Sequence, residues 1–564
     1  MRTLRLEWTL MVIAILTLSA CKTTAPAPAA PDDFDLIIRN GRIVDGTGAP
    51  WYRADVAVTG DTIMVIGDLD DASAAVEIDA GNQVVSPGFI DLLGWSHWPV
   101  LVDPRLEGKV RQGVTTEATG EGRSPGPLSA EEAARRRERG ARSWTTLGEY
   151  MEIVEEQGSA LNFALFVGAT NPREIVLGKN DVDPTEEQML EMERIVADAM
   201  RDGAIGLSTS LVYVPALYAS TEEIVRLARV AAEYGGVYFS HIRSENERII
   251  EAVEETIAIG REANIPVNIW HLKVSDKQNV GVMAQVLEMI ESARAEGIDI
   301  AANLYPYVAS STGLSALAPN WTLEGGYEKL LERLADPEMR EQIAQEVRES
   351  GFYSRIGGPS GALISHIPNE ELEQFEMKRL SEAAEEMGRE PVDALLYLLE
   401  NNPHSPQAIY FSMKEEDMQM ALQRPWVSVG ADSGAVVGEM RQSGAHPRAY
   451  GTFPRVVGHY VREVGLFSLE EAVRKITSQA AARVNLLDRG VLRPGMKADI
   501  LVFDPDEIQD LSTFEEPHQF SEGIDHVIVN GVPVLRDGEM TGALPGRILR
   551  GPGWTEKSES RQKQ

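Results

Sequence analysis

Between residues 84 and 432 the sequence alternates short apolar runs with amphipathic stretches, and this alternation narrows the fold more than any other feature. The runs are VVSPGFIDLL (84–93), VTTEAT (114–119), NFALFVG (162–168), AIGLSTS (204–210), VYFSHIR (237–243), PVNIWHLK (266–273), IDIAANLYPY (298–307) and WVSVGAD (426–432). They read as buried strands, and stretches such as TEEIVRLARVAAEYG and ERIIEAVEETIAIGREAN read as the helices between several of them. Eight strands with intervening helices predict an α/β fold, a (β/α)₈ TIM barrel occupying 84–484. The stretch at about 308–425 is too long for an ordinary connection. It holds helix-like segments and two short strand candidates, and reads as an insertion before the last barrel strand.

The two ends of the chain share a different style. DLIIRNGRIVDGTG and DVAVTGDTIMVIG near the start, and GVLRPGMKADILVFDP and HVIVNGVPVLRDG near the end, are short alternating strands punctuated by turns. Residues 34–83 and 485–550 are therefore expected to pair into one small β-sandwich, with 551–564 a flexible tail. Residues 1–20 carry Arg2 and Arg5 ahead of the apolar run TLMVIAILTLSA, which is short for a membrane span and reads as a secretory signal peptide. The run ends in Leu18-Ser19-Ala20-Cys21, which resembles a bacterial lipobox. That resemblance implies cleavage before Cys21, lipidation of its new N-terminus, and an exported, membrane-anchored lipoprotein facing the periplasm or cell exterior. Residues 21–33, rich in Pro and Ala, would be the tether.

The 53 basic and 87 acidic side chains give a formal charge of -34, which argues against a nucleic-acid partner. Cys21 is the single cysteine, so an internal disulfide, a Cys-pair zinc knuckle and an iron–sulfur cluster are excluded.

In a barrel of this kind functional residues sit at the C-terminal ends of strands. His241, His271 and Asp432 are polar residues at the ends of VYFSHIR, PVNIWHLK and WVSVGAD, and Glu121 follows the second strand in TTEATGEG. A lone His after a strand is ordinarily a hydrogen-bonded structural residue. Two on successive strands, with an Asp on the last, favour a metal site, and two His with a carboxylate suit zinc with one position open to water. The same rim supplies Lys273, two residues past His271, and Arg448 in AHPRAYGTFPR, with Tyr305 and Tyr307 flanking Pro306. Cations gathered at a pocket of an acidic protein point to an anionic substrate.

PGFIDLL after a strand pair, GVTTEATGEG, SHIRSE, HLK, YPY, GADSG, HPRAYGTFPR, LRPGMKADILVFDP and VNGV together resemble the amidohydrolase superfamily, and within it the N-acyl-D-amino-acid deacylases, or D-aminoacylases, over roughly residues 35–553. The resemblance implies a metal-dependent hydrolase in which a zinc-activated water attacks an amide carbonyl. It implies His241 and His271 as metal ligands and Asp432 as the general base that then protonates the leaving amine. Lys273, Tyr305 and Arg448 match positions that hold the substrate carboxylate, with Ser310 or Ser311 as a weaker addition.

The sequence departs from the family pattern twice. Typical members carry His-x-His two residues after the PGFID-like aspartate; aligned from Asp91, those positions are Leu93 and Trp95, and neither can bind a metal. His97 falls where many members have an Asp and would become a ligand only if the strand end shifted. Many D-aminoacylases also place a bridging Cys after the GVTT strand. Here Gly122 stands at that position, and Glu121, its neighbour, is the favoured replacement, ahead of Glu117, which lies within the strand. The site thus reads as Glu121, His241 and His271 around one zinc rather than two, with Asp432 beside the water. Trp95, Trp98 and Trp270 either make the pocket apolar or serve core packing. The expected substrate is a small N-acyl amino acid, of D configuration by the resemblance, or a peptide with a free carboxylate. A cyclic amide or lactone hydrolase is the enzymatic alternative, and a non-catalytic binding lipoprotein the alternative of another class.

Overall fold

The computed structural model describes residues 34–555, apart from Lys277, Asn279, Phe352, Ser354 and Arg355. Cys21 and the segments expected to be signal peptide and tether lie outside the described residues. Among the described residues no helix is long and apolar enough to cross a membrane.

Eight parallel strands form the barrel: Phe89–Gly94, Val114–Thr119, Asn162–Leu165 running on into Val167–Gly168, Gly206–Ser210, Val237–His241, Val267–Ile269, Ile300–Leu304 and Val427–Val429. The ring closes between first and last strands, where Gly94 bridges Ser433 and the Asp432 N–H donates to the Leu93 carbonyl at 2.8 Å. Strands covered on both faces can be apolar throughout, which is why they read as runs rather than alternations. The surrounding helices bury one stripe each. In Thr221–Glu233 the side chain of Ser220 caps the start by accepting from the Glu223 N–H, and Ile224, Val225, Leu227, Ala228 and Ala231 face inward. The barrel centre is filled by aromatic rings, with Trp270 5.3 Å from Phe166 and 5.4 Å from Phe239.

Nine strands from the two chain ends form one sheet, joined where Ile500–Phe503 runs antiparallel to Val84–Pro87. Leu36, Ile38, Val56, Val58, Ile500, Val502 and Ile528 give it a core of its own. The run 84–93 is therefore two strands, one in each body, divided at Gly88, where any side chain would collide with Thr115. Residues 545–551 leave this sheet and hydrogen-bond along the barrel, the Leu549 N–H donating to the Phe163 carbonyl at 2.7 Å. Residues 551–555, expected to begin a flexible tail, also dock there: the Gly551 N–H reaches the Gly203 carbonyl at 2.9 Å, and Arg550 stacks on Trp554.

The insertion folds around a separate core that includes Leu330, Ile343, Val347, Ile364, Leu395 and Leu398. It carries three antiparallel strands, Ser310–Gly313, Ala362–His366 and Gln407–Tyr410, where two were expected. It ends before the helix Glu415–Leu422, which packs on Val282–Ala295 as part of the barrel's outer ring.

Candidate active site

Glu121, His241, His271 and Asp432 converge at the C-terminal mouth of the barrel, lining one cavity of about 1220 Å³. His241 is the last residue of its strand. His271 and Asp432 follow theirs with φ of 37° and 49°, a left-handed conformation uncommon outside glycine, at the point where each strand ends. Glu121 stands between Gly120 and Gly122, at φ of 111° and 61°. A side chain on Gly122 would strike Ser210, so the glycine allows the loop to reach over to the end of the strand Gly206–Ser210.

Three donor atoms meet at one point. Glu121 Oε1 lies 2.8 Å from His241 Nδ1 and 3.2 Å from His271 Nε2, and the two ring nitrogens are 2.9 Å apart. All three residues are buried. Two imidazole nitrogens and a carboxylate oxygen turned toward one another, with the rest of the protein closed around them, fit a divalent cation such as zinc.

Glu245, not singled out from the sequence, supports this group from behind. Its Oε1 lies 3.0 Å from His271 Nδ1 and 3.6 Å from His241 Nε2, and it pairs closely with Lys273. A carboxylate on the outer nitrogen of a ligating histidine fixes the ring and raises its basicity. Burial alone would raise the Glu245 carboxyl; Lys273 and the two histidines outweigh it and hold it well below the usual carboxylate range. Glu121 is likewise held low, the hydrogen bonds from His241 and His271 overcoming burial. His271 is raised to about 9, because Glu245, Asp432 and Glu121 together outweigh burial and the Lys273 charge.

Asp432 is held on both oxygens. Oδ2 lies 2.8 Å from Arg448 Nη1, and Oδ1 accepts from Trp95 Nε1 at 3.3 Å. The two cations expected at the rim, Lys273 and Arg448, thus each stand against an acid. Arg448 nonetheless keeps one buried donor, Nε, without an acceptor, and its guanidinium lies 4.5 Å over the Tyr305 ring. The Tyr305 hydroxyl reaches the sulfur of Met413 at 3.7 Å. Ser310 and Ser311 line the cavity from the insertion's strand. Tyr213, also unforeseen, sets its ring edge-on to His241 and exchanges a 2.9 Å hydrogen bond with Thr312 of the same strand.

Other candidates lie elsewhere. Tyr307 donates to Asp510 at 3.2 Å. His97 sits 2.7 Å from Thr119 Oγ1 between Trp95 and Trp98, and burial lowers its pKa to about 3, so it is a neutral core residue. Glu117 turns to Ser96 and Lys109, and burial pushes its carboxyl up to about 7 against the pull of Lys109. Trp98 stacks on Trp144, and Trp270 fills the barrel, its N–H donating to the Leu92 carbonyl at 2.9 Å. Of the three tryptophans only Trp95 lines the cavity.

The sequence profile of the Amidohydrolase family matches residues 430–535. The D-aminoacylase of Alcaligenes xylosoxydans xylosoxydans is 36% identical over 526 residues, covering 92% of this chain and 97% of that protein. The crystal structure of an N-acyl-D-glutamate deacylase from Bordetella bronchiseptica, complexed with zinc and a phosphonate mimic of the tetrahedral intermediate, superposes with a TM-score of 0.78 at 32% identity, covering 92% of this chain and all of that one. A D-aminoacylase structure described in terms of a binuclear metal centre, with one-metal activation and second-metal attenuation, gives 0.76 at 36% identity and the same coverage.

Proposed function

As the chain belongs to the D-aminoacylase family of amidohydrolases, we propose that it is a zinc-dependent hydrolase cleaving the amide bond of N-acyl amino acids, D-amino acids foremost, with one metal ion. The convergence of Glu121, His241 and His271 on one point, with Asp432 in the same cavity, carries this reading. A divalent cation held by those three residues supplies the acidity that makes water a nucleophile at neutral pH and polarises the amide carbonyl.

The chain's own groups do the rest. Asp432, oriented by Arg448 and Trp95, takes the proton from the attacking water and returns it to the leaving amine. The free Nε donor of Arg448, with Lys273 and Ser311, receives the substrate carboxylate, and Tyr305 backs the Arg448 guanidinium from outside the cavity lining. Because Lys273 and Arg448 already face Glu245 and Asp432, the carboxylate shares each cation with an acid. It is the unsatisfied Arg448 Nε donor that favours a free acid over a cyclic amide, which offers no such anion. A single metal is supported by Leu93 and Trp95, a hydrocarbon and a donor-only indole where a second ion would need imidazoles.

A panel of N-acyl D- and L-amino acids, with amine release and bound zinc measured together, tests the assignment. The expected result is release from D-substrates by protein carrying one zinc per chain. No release from any substrate with zinc added, and no zinc bound, overturns it. The Leu18-Ser19-Ala20-Cys21 run supports a further part of the proposal, export and lipid anchoring at Cys21. Replacing Cys21 by Ala should move the protein from the membrane fraction to the soluble one; an unchanged distribution counts against the anchor.

A further inference from the structure

Where family members carry an imidazole, Trp95 points its indole N–H at Asp432, and the surrounding backbone is clasped from both sides. Glu117 Oε1 accepts from the Ser96 N–H at 2.7 Å, and the Ser96 hydroxyl donates to Glu117 Oε2 at 2.7 Å while accepting from the Ala435 N–H at 3.0 Å. Asp91 Oδ1 accepts from the N–H groups of Leu93 and Ala431, at 3.0 and 2.9 Å. Lys109 Nζ donates to Asp91 Oδ2 at 2.7 Å and to the Ser433 carbonyl at 2.6 Å. A side chain at Gly94 would collide with Glu117, so the glycine admits the clasp. The result ties down residues 93 and 96 around Trp95, and 431 and 433 around Asp432. The side chains of Asp91, Lys109 and Glu117 are fully buried. Of this network only Ser433, whose carbonyl Lys109 holds, lines the cavity; the Asp91, Ser96, Lys109 and Glu117 side chains lie behind it and serve the relation between the two strand ends.

We infer that Trp95 is a positioning residue for Asp432, its N–H standing at the base where a second cation would otherwise stand, and that the Glu117–Ser96 clasp keeps it there. Two oxygens fixed by two donors leave the carboxylate one orientation relative to the attacking water. The inference rests on Asp432 being the base of the proposed reaction.

Trp95→Phe keeps an aromatic ring at the position and removes the donor together with the five-membered half of the indole. The expected result is kcat lowered about tenfold, the size of one hydrogen bond to a charged acceptor, with KM and zinc content unchanged. Leu93→His with Trp95→His should raise bound zinc from one to two per chain by elemental analysis, a readout independent of turnover. Full kcat in Trp95→Phe, or two zinc ions in the unsubstituted protein, overturns the assignment. If Trp95→Phe keeps full rate while Asp432→Asn is inactive, only the role of Trp95 fails. If the unsubstituted protein hydrolyses no N-acyl amino acid, the deacylase reading fails and this inference with it.

Discussion

Glu245 and His271 meet at 3.0 Å through the ring nitrogen that faces away from Glu121 and His241. One carboxylate thereby orients a ring whose other nitrogen is free for a metal, and the same carboxylate neutralises Lys273.

Glu245→Gln should weaken zinc affinity by about 10- to 100-fold, read by competition with a chelator of known affinity. At saturating zinc the rate should recover most of its value. An unchanged affinity would mean that Glu245 acts only on Lys273.

Asp432→Asn should lower kcat by about a thousandfold while zinc content stays at the unsubstituted level. The pairing of catalytic loss with metal retention is the diagnostic. Loss of both would make Asp432 a ligand.

Arg448→Ala removes a partner of Asp432 and a receptor for the substrate carboxylate together. The first loss lowers kcat for every substrate. The second should raise KM for N-acyl amino acids by about tenfold or more, and much less for their carboxamide analogues. Equal changes in KM for acid and amide would remove the receptor role.

Glu117 gives a pH signature of its own. Its carboxyl is raised from 4.5 to about 7 in the folded protein. Between those values the folded state binds the proton that the unfolded state has lost, so this group's contribution is complete below about pH 4.5 and disappears as pH rises through 7. Glu117→Gln lacks that dependence. Melting temperatures compared at pH 5 and pH 7 should shift in favour of the variant at the higher pH; a constant difference would mean Glu117 is ionised throughout.

Much of the site was legible because barrel chemistry is written at strand ends. His241, His271 and Asp432 each close an apolar run, and Glu121 follows one closely. Glu245 was not legible: it lies four residues past His241 in a loop, and only the fold carries it back behind both histidines. The pairing of Lys273 with Glu245 and of Arg448 with Asp432 was invisible for the same reason, since sequence shows charges but not their partners. Trp98 and Trp270 read like Trp95 in composition; the direction of each strand end decides which ring meets the cavity. The barrel itself was clear from its alternation, whereas the divide at Gly88 was hidden inside one apolar run shared by two bodies.

The bond from the Asp432 N–H to the Leu93 carbonyl joins residues 339 positions apart by their numbering, and it lies at the seam where the barrel becomes a closed ring. The proposed proton acceptor therefore takes its place only where the ring is closed. A chain cut short of residue 432 holds both histidines, yet it has no Asp432 beside them. The proposed reaction thus depends on the two ends of the barrel meeting, and a truncation ahead of residue 432 should be inactive even where it retains zinc.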